Sequence, residues 1–269
     1  MLSSEHIKGQ LHTKWAACNI VYKEVTGSTN DDAAALAKSG AEHGTLVVAD
    51  RQETGRGSRG RGWETPAGTN IAMSLILRPV AELKDISMLT LIMGLSVAEA
   101  VDECLGRPDV FSMIKWPNDV VLNSKKICGI LTELHMNPEN TISDVVIGVG
   151  INVNMTSFPD EIKEIAGSIL SESGKELDRS AVVARCMERF EENYEKYNRS
   201  FDLTLLKESY EKRLINKDRR VRVLDPEGEF EAEALGITTG GALVVRCDDG
   251  EVKEIGAGEV SVRGLYTYA

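Results

Sequence analysis

No two cysteines in this sequence form a C-x-x-C pair. Cys18, Cys104, Cys128, Cys186 and Cys247 stand singly. That spacing argues against a zinc ribbon or a disulfide framework and fits a reducing cytoplasm. Long apolar runs are also missing. No stretch approaches about 18 apolar residues, and the opening MLSSEHIKGQLHTK has no apolar centre, so neither a membrane span nor an export signal is expected. Positive charge is scarce, with 31 Lys and Arg against 42 Asp and Glu and a net charge of -11. Nucleic-acid binding runs on the opposite excess, so none is expected of the whole chain. The phosphate loop that ends in Gly-Lys-Ser/Thr is absent, as are the spaced glycines of a dinucleotide fold. Internal repeats and low-complexity segments are absent too.

What remains is an ordinary globular composition, 42% apolar and 27% charged over 269 residues. That is enough for one large domain, or one large and one small. Against the acidic background one stretch stands out, RQETGRGSRGRGW at 51–63. Residues 51–61 hold four arginines and one acid. Glycines interleaved with arginines expose backbone N–H groups together with guanidinium forks, the chemistry that holds an anionic ligand. A solvated surface loop has the same composition, so its neighbours must decide.

Those neighbours read as strands. Residues 44–50 and 70–77 are apolar runs bounded by turn signals, so the loop links two strands of one sheet. Before them, Ser28-Thr29-Asn30 starts a helix that runs to Gly40; capping alone would account for the hydroxyls. A helix over 86–105 is apolar nearly all round and belongs in the core. Residues 113–123 and 124–134 read as two strands flanking a turn at 123–125, with Lys115, Asn118 and Asp119 set in apolar sequence and Lys126 opening the return strand. A buried Lys or Asp is costly unless paired. The pattern suits either a structural ion pair or a site that binds an anion and transfers a proton. A strand over 144–154 carries Gly148 and Gly150. Period 2 puts both on one face, where a ligand could lie against bare backbone, and Asn152 continues that face. Helices are expected at 160–170, 179–198 and 202–214. Beyond residue 215 come five short alternating segments, at 220–224, 230–235, 242–246, 251–255 and 259–263, which read as a small β-barrel.

Taken in order, these motifs resemble the biotin–protein ligases. The resemblance covers residues 28–269. It rests on Ser28-Thr29-Asn30, the GRGSRGRGW loop, K-W-P-N-D at 115–119, Lys126 with Gly129-Ile130-Leu131, G-V-G-I-N at 148–152, and A-G-E-V-S at 257–261. It implies an α+β fold with a mixed-sheet catalytic domain and packed helices over 1–215, and an SH3-like barrel over 216–269. The implied reaction joins biotin to ATP as biotinyl-5'-AMP, with Mg²⁺ carried on the nucleotide and no dedicated metal site. Biotin then passes to one lysine of a biotin carboxyl carrier protein. By resemblance, Ser28, Thr29, Asn30, Gln52 and Gly55 belong to the biotin site, with Gly129, Leu131, Gly148 and Gly150 as its wall. Arg56 and Lys126 flank the reacting carboxylate and α-phosphate. Arg59, Arg61, Trp63, Lys115, Asn118 and Asn152 meet the ATP or adenylate, and Asp119 attends the incoming lysine. The glycines let the 51–63 loop close over the adenylate and shut water out.

Only 27 residues precede Ser28, too few for a helix-turn-helix domain of roughly 60 residues, so no operator binding is expected. A cytoplasmic monomer or weak homodimer is. The rival readings are a lipoate–protein ligase of the same fold, a non-catalytic biotin sensor and a plain nucleotide-binding module. K-W-P-N-D, Trp63 and the C-terminal strands favour biotin over lipoate. Lys126, Arg56 and Asp119 together favour an enzyme over a sensor, and the glycine wall goes unexplained in a nucleotide module. Ser58 departs from the resemblance, which has arginine there. We expect weaker adenylate retention than in a G-R-G-R loop. Ser58→Arg should slow adenylate dissociation, measured by chase with unlabelled ligand; equal rates would refute this.

Overall fold

The structure is a computed structural model. It describes all residues except Ser58, Arg59, Arg61, Ala81, Pro226, Glu227, 258–260 and 265–269. The expectations for Ser58, Arg59, Arg61 and most of the 257–261 motif therefore lie outside the described residues.

Seven strands form one mixed sheet. They are β1 (Ile20–Thr26), β2 (Leu46–Gln52), β3 (Ile71–Leu77), β4 (Met113–Lys115), β5 (Asp119–Leu122), β6 (Lys125–Met136) and β7 (Ile142–Ile151), in the order β1-β2-β3-β7-β6-β5-β4. Only β1 and β2 are parallel. The two faces differ. On one, Leu46, Val48, Met73, Leu75, Val145 and Ile147 join the main core with α3 (Ile86–Leu105) and α5 (Arg179–Ser200). On the other, Val47, Ile76 and Val146 pack against Ala33 and Ala37 of α2 (Thr29–Lys38). One short helix cannot cover a seven-stranded face, so the rest of that face, beyond the N-terminus of α2, is open to form a site.

The other elements are α1 (Ser4–Lys8), α4 (Ile169–Ser173), α6 (Lys207–Arg213) and a second sheet. That sheet contains β8 (Arg219–Leu224), β9 (Phe230–Ile237), β10 (Leu243–Cys247), β11 (Val252–Ile255) and β12 (Ser261–Gly264), all antiparallel, in the order β11-β10-β9-β8-β12. Among the described residues β11 and β12 are its edges. It is tied to the first sheet through buried Trp116, whose indole N–H donates to Gly241 O at 3.1 Å and whose backbone N–H donates to Asn216 Oδ1 at 3.0 Å.

Some elements differ from the sequence pattern. No helix spans 160–170. Turns run there instead, because Lys126 N–H donates to Ile165 O and Gly167 N–H returns to Lys126 O, bridging the segment to β6. The 202–214 helix starts only at Lys207. Asp202 accepts from the N–H and hydroxyl of Thr204, and Leu203 N–H donates to Thr239 O, holding 202–206 out of helix. The 113–123 run is two strands, β4 and β5, split by Trp116-Pro117-Asn118. β1 and α1 have no counterpart in the sequence reading. β1 is a half-exposed edge strand, so its alternation is weak.

His43 sits between the rings of Trp15 and Tyr194, with centroids 4.5 and 5.9 Å away. Its Nδ1 accepts the Arg78 N–H at 3.0 Å. Burial, then the Arg78 cation, pushes its pKa down. The neutral ring is the folded form, so its contribution is complete above the unfolded pKa of about 6.5 and is lost as pH falls below it. The urea midpoint should drop between pH 7 and pH 5, and His43→Leu should flatten that drop.

Candidate functional site

Register builds the floor of the site. One cross-strand row reads Ala49, Ala72, Gly150, Gly129, Asp119, Lys115 from β2 to β4. The neighbouring row contains Ser74, Gly148 and Leu131. Four small residues therefore lead across bare backbone to a carboxylate and a lysine. A side chain on Gly148 would overlap Asn30 Oδ1, and one on Gly150 would overlap the Trp63 indole. These glycines are required by what lies on them, not by backbone conformation.

The cleft above the floor encloses about 450 Å³, including solvent at its mouth. That is the size of a small-molecule site. Its lining brings together twelve of the residues singled out from sequence: Ser28, Thr29, Asn30, Gln52, Arg56, Trp63, Asn118, Lys126, Gly129, Leu131, Gly148 and Gly150. Gly57, Ile130 and Val149 are the other described residues that line it. Gly55 lies outside the lining, where a side chain would overlap the Trp63 carbonyl; the loop closes on itself there, with Trp63 N–H donating to Gly55 O. Lys115, Asp119 and Asn152 also stand outside it. Asn152 donates to Gly167 O and accepts from Asn70 Nδ2. Those bonds hold its side chain within the protein, away from the direction expected from strand alternation.

One end of the cleft is polar. Ser28, Thr29 and Asn30 are all buried, which is costly for three consecutive polar residues unless each is bonded. Ser28 occupies the N-cap of α2 but makes no capping bond with its side chain, so its hydroxyl remains for the cleft. The helix N–H at Thr29 goes instead to Gln52 Oε1, at 2.8 Å. Asn30 Nδ2 donates to Glu133 Oε2 at 2.6 Å, and Ser74 Oγ lies 2.6 Å from Asn30 Oδ1. Sequence reasoning missed Ser74 and Glu133. Ser74 hides in an apolar strand; the one signal is that it pairs with Gly148 across the sheet.

The other end is cationic. Lys126 Nζ stands 2.6 Å from Asp119 Oδ1, and Lys115 Nζ is 4.0 Å from Asp119 Oδ2. Two lysines share one carboxylate, so the trio keeps a formal charge of +1. Arg56, the other described cation that lines the cleft, stands beside the polar end instead: Nη1 and Nη2 donate to Asp31, next to Asn30, at 2.9 and 2.7 Å, and Nη2 reaches Glu133, the partner of Asn30, at 3.3 Å. The Asp31 hydrogen bonds, more than any other contact, push the Arg56 pKa further up. A ligand with a hydrogen-bonding head, an apolar body and an anionic end matches this order of surfaces. Two reacting anions could also meet there against charge already in place.

Comparison with known proteins agrees. Residues 22–152 match the Biotin/lipoate A/B protein ligase family, and residues 218–263 match the Biotin protein ligase C terminal domain. The bifunctional ligase/repressor BirA of Bacillus subtilis is 38% identical over 265 residues, covering 97% of this chain and 79% of that protein. The biotin–[acetyl-CoA-carboxylase] ligase of Mycobacterium tuberculosis is 33% identical over 217 residues, covering 80% of this chain and 77% of that protein. Among solved structures, the biotin protein ligase from Aquifex aeolicus in complex with biotin and ATP superposes with a TM-score of 0.79 at 32% identity, covering 92% of this chain and 99% of that one. The chain belongs to the biotin protein ligase family.

Proposed function

We propose that this chain activates biotin with ATP and transfers it to a lysine of a biotin carboxyl carrier protein. The observation that carries this reading is the order of surfaces along the cleft: the Ser28/Thr29/Gln52 head site, the Gly129/Gly148/Gly150 wall, and the Lys126 end, with Arg56 on the loop that lines the cleft. Biotin has the same order, a cyclic urea, an apolar ring and chain, and a carboxylate. In the first step a biotin carboxylate oxygen attacks the α-phosphorus of ATP, and pyrophosphate leaves with its Mg²⁺. Arg56 and Lys126 offset the negative charge that gathers there. Trp63 and Asn118, which line the cleft with Lys126, would meet the adenosine, with Asn152 and Lys115 supporting the site from outside the lining. In the second step the ε-amine of the carrier lysine attacks the acyl carbon, loses a proton and expels AMP. Asp119, held between Lys115 and Lys126, orients that amine.

We further propose two domains, 1–215 and 216–269, the second an SH3-like barrel. The match over 218–263 and the five short antiparallel strands support this. A cytoplasmic location fits the five free cysteines. No helix among the described residues is long and apolar enough to cross a membrane.

The test is incubation with biotin, MgATP and a biotin-carrier domain, followed by intact mass. A gain equal to biotin minus water on a single carrier lysine is expected. An unmodified carrier alongside steady pyrophosphate release would refute the transfer step; no pyrophosphate at all would refute the reading.

A further inference from the structure

Beneath the polar end of the cleft runs a chain of short contacts. Gln52 Oε1 lies 3.1 Å from Thr29 Oγ1, Thr29 Oγ1 lies 2.8 Å from Ser74 Oγ, and Ser74 Oγ lies 2.6 Å from Asn30 Oδ1. Asn30 Nδ2 continues to Glu133 Oε2 at 2.6 Å and points also toward Leu131 O at 3.4 Å. The direction of this chain can be deduced by counting protons. Glu133 and the Leu131 carbonyl only accept, so they fix which end of the Asn30 amide faces them. Asn30 Oδ1 then faces Ser74 and can only accept, so it takes the Ser74 proton. Ser74 Oγ also donates toward Thr29 Oγ1 at 2.8 Å, so its one proton is shared between Asn30 and Thr29. The Thr29 hydroxyl proton goes to Gln52 Oε1. Gln52 Oε1 still holds the Thr29 backbone N–H.

We propose that Ser74 is a positioning residue that sets the hydrogen-bond polarity of the ligand's head site, acting through Thr29. With its proton directed to Gln52 and Ser74 donating to it from beneath, Thr29 Oγ1 shows the cleft a lone pair only. Gln52 Oε1 is occupied by both Thr29 donors, and one Nε2 hydrogen reaches Thr65 Oγ1 at 3.5 Å, so Gln52 has its second Nε2 N–H for the cleft. The site therefore offers an acceptor and a donor side by side, which suits a cyclic urea with its N–H and C=O. Ser74 is fully buried and touches no ligand. Glu133 anchors the far end of the chain and also contacts Arg56, so one set of bonds joins the head site to the loop. This inference rests on the biotin reading of the cleft.

The test is a double-mutant cycle read by calorimetric titration with biotin. Ser74→Ala removes the donor that keeps the Thr29 hydroxyl turned to Gln52 and should weaken biotin binding about tenfold. Thr29→Val, which removes the acceptor itself, should weaken it at least as much. If Ser74 acts through Thr29, the double variant should bind within about twofold of Thr29→Val alone. A merely structural role predicts losses that multiply, and would also move ATP affinity, which should stay within twofold of wild type. Should Ser74→Ala melt too early to titrate, Glu133→Ala removes the acceptor of the Asn30 amide from a partly exposed position and should show the same non-additivity with Thr29→Val. Multiplying losses, or wild-type biotin affinity in Ser74→Ala, would overturn the proposal and leave the biotin reading standing. Absence of any biotin heat with wild-type protein would overturn both.

Discussion

Lys126→Ala should lower pyrophosphate release with biotin and MgATP by about 10²–10³-fold, the loss found when one preorganised donor is removed from a site of developing charge. The Lys126 ammonium is 2.6 Å from Asp119 Oδ1 and 5.5 Å from the centre of the Trp63 ring, over the Gly129 backbone. It therefore stands between the carboxylate proposed to attend the incoming amine and the ring proposed to meet the nucleotide. Removing it takes one cation from beside Asp119, where Lys115 stands at 4.0 Å, and lowers the formal charge of that corner by one. Both reactants arrive as anions, so the loss acts on their encounter and on the transition state together. Lys125→Ala is the control. Lys125 Nζ donates to the carbonyls of Lys163 and Glu164 at 2.8 and 2.9 Å, away from the cleft. Its loss should change the rate less than twofold. A comparable loss in both variants would show that Lys126 serves the fold of the 160–167 turns rather than the reaction.

The contrast between these adjacent lysines also shows where sequence reading stops. Alternation along β6 places Gly129, Leu131 and Glu133 on the cleft face and would put residue 127 there with them. Yet Ile127 is in the core, and Lys126 faces the cleft. The register between β5 and β6 shifts by one residue, with Val120 opposite Cys128 and Val121 opposite Lys126. That bulge turns Lys126 to the reactive side. Nothing in KKICGIL announces it; the sequence marks Lys126 as the opening of the return strand, and the resemblance alone gives it a role. Gly148 and Gly150, by contrast, were legible because no shift interrupts β3 against β7, so period 2 holds. Helix α3 was legible because twenty residues of nearly continuous apolarity end at Gly106. Ser74 and Glu133 were not, since their meaning arises from long-range pairing. Ser74 meets Asn30 across 44 residues and Glu133 meets it across 103.

Gly148→Ala should weaken biotin binding at least about 100-fold, roughly 2.7 kcal/mol, and leave a folded protein. The new methyl would overlap Asn30 Oδ1 and lie 2.8 Å from its Cγ. The Asn30 side chain cannot yield cheaply. Its oxygen takes the Ser74 proton, its nitrogen is bonded to Glu133, and the residue is buried. Moving it breaks two hydrogen bonds and strands their partners, at about 1–3 kcal/mol for each buried group left unsatisfied. The alternative is that β7 moves off α2, which widens the cleft under the head site. Either route disturbs Ser74 and Thr29, so the expected loss is in biotin affinity before stability. Urea unfolding should show a cost of about 1–3 kcal/mol, the usual price of overpacking. Gly94→Ala provides the comparison. There a methyl would meet only Ile130 Cδ1 at 3.7 Å and Ile114 Cγ2 at 3.9 Å, ordinary contact distances. In the middle of α3, alanine should stabilise the helix by up to about 1 kcal/mol and leave biotin binding unchanged. If Gly148→Ala bound biotin as wild type does, Asn30 would have to move without consequence, and the head site could not depend on it.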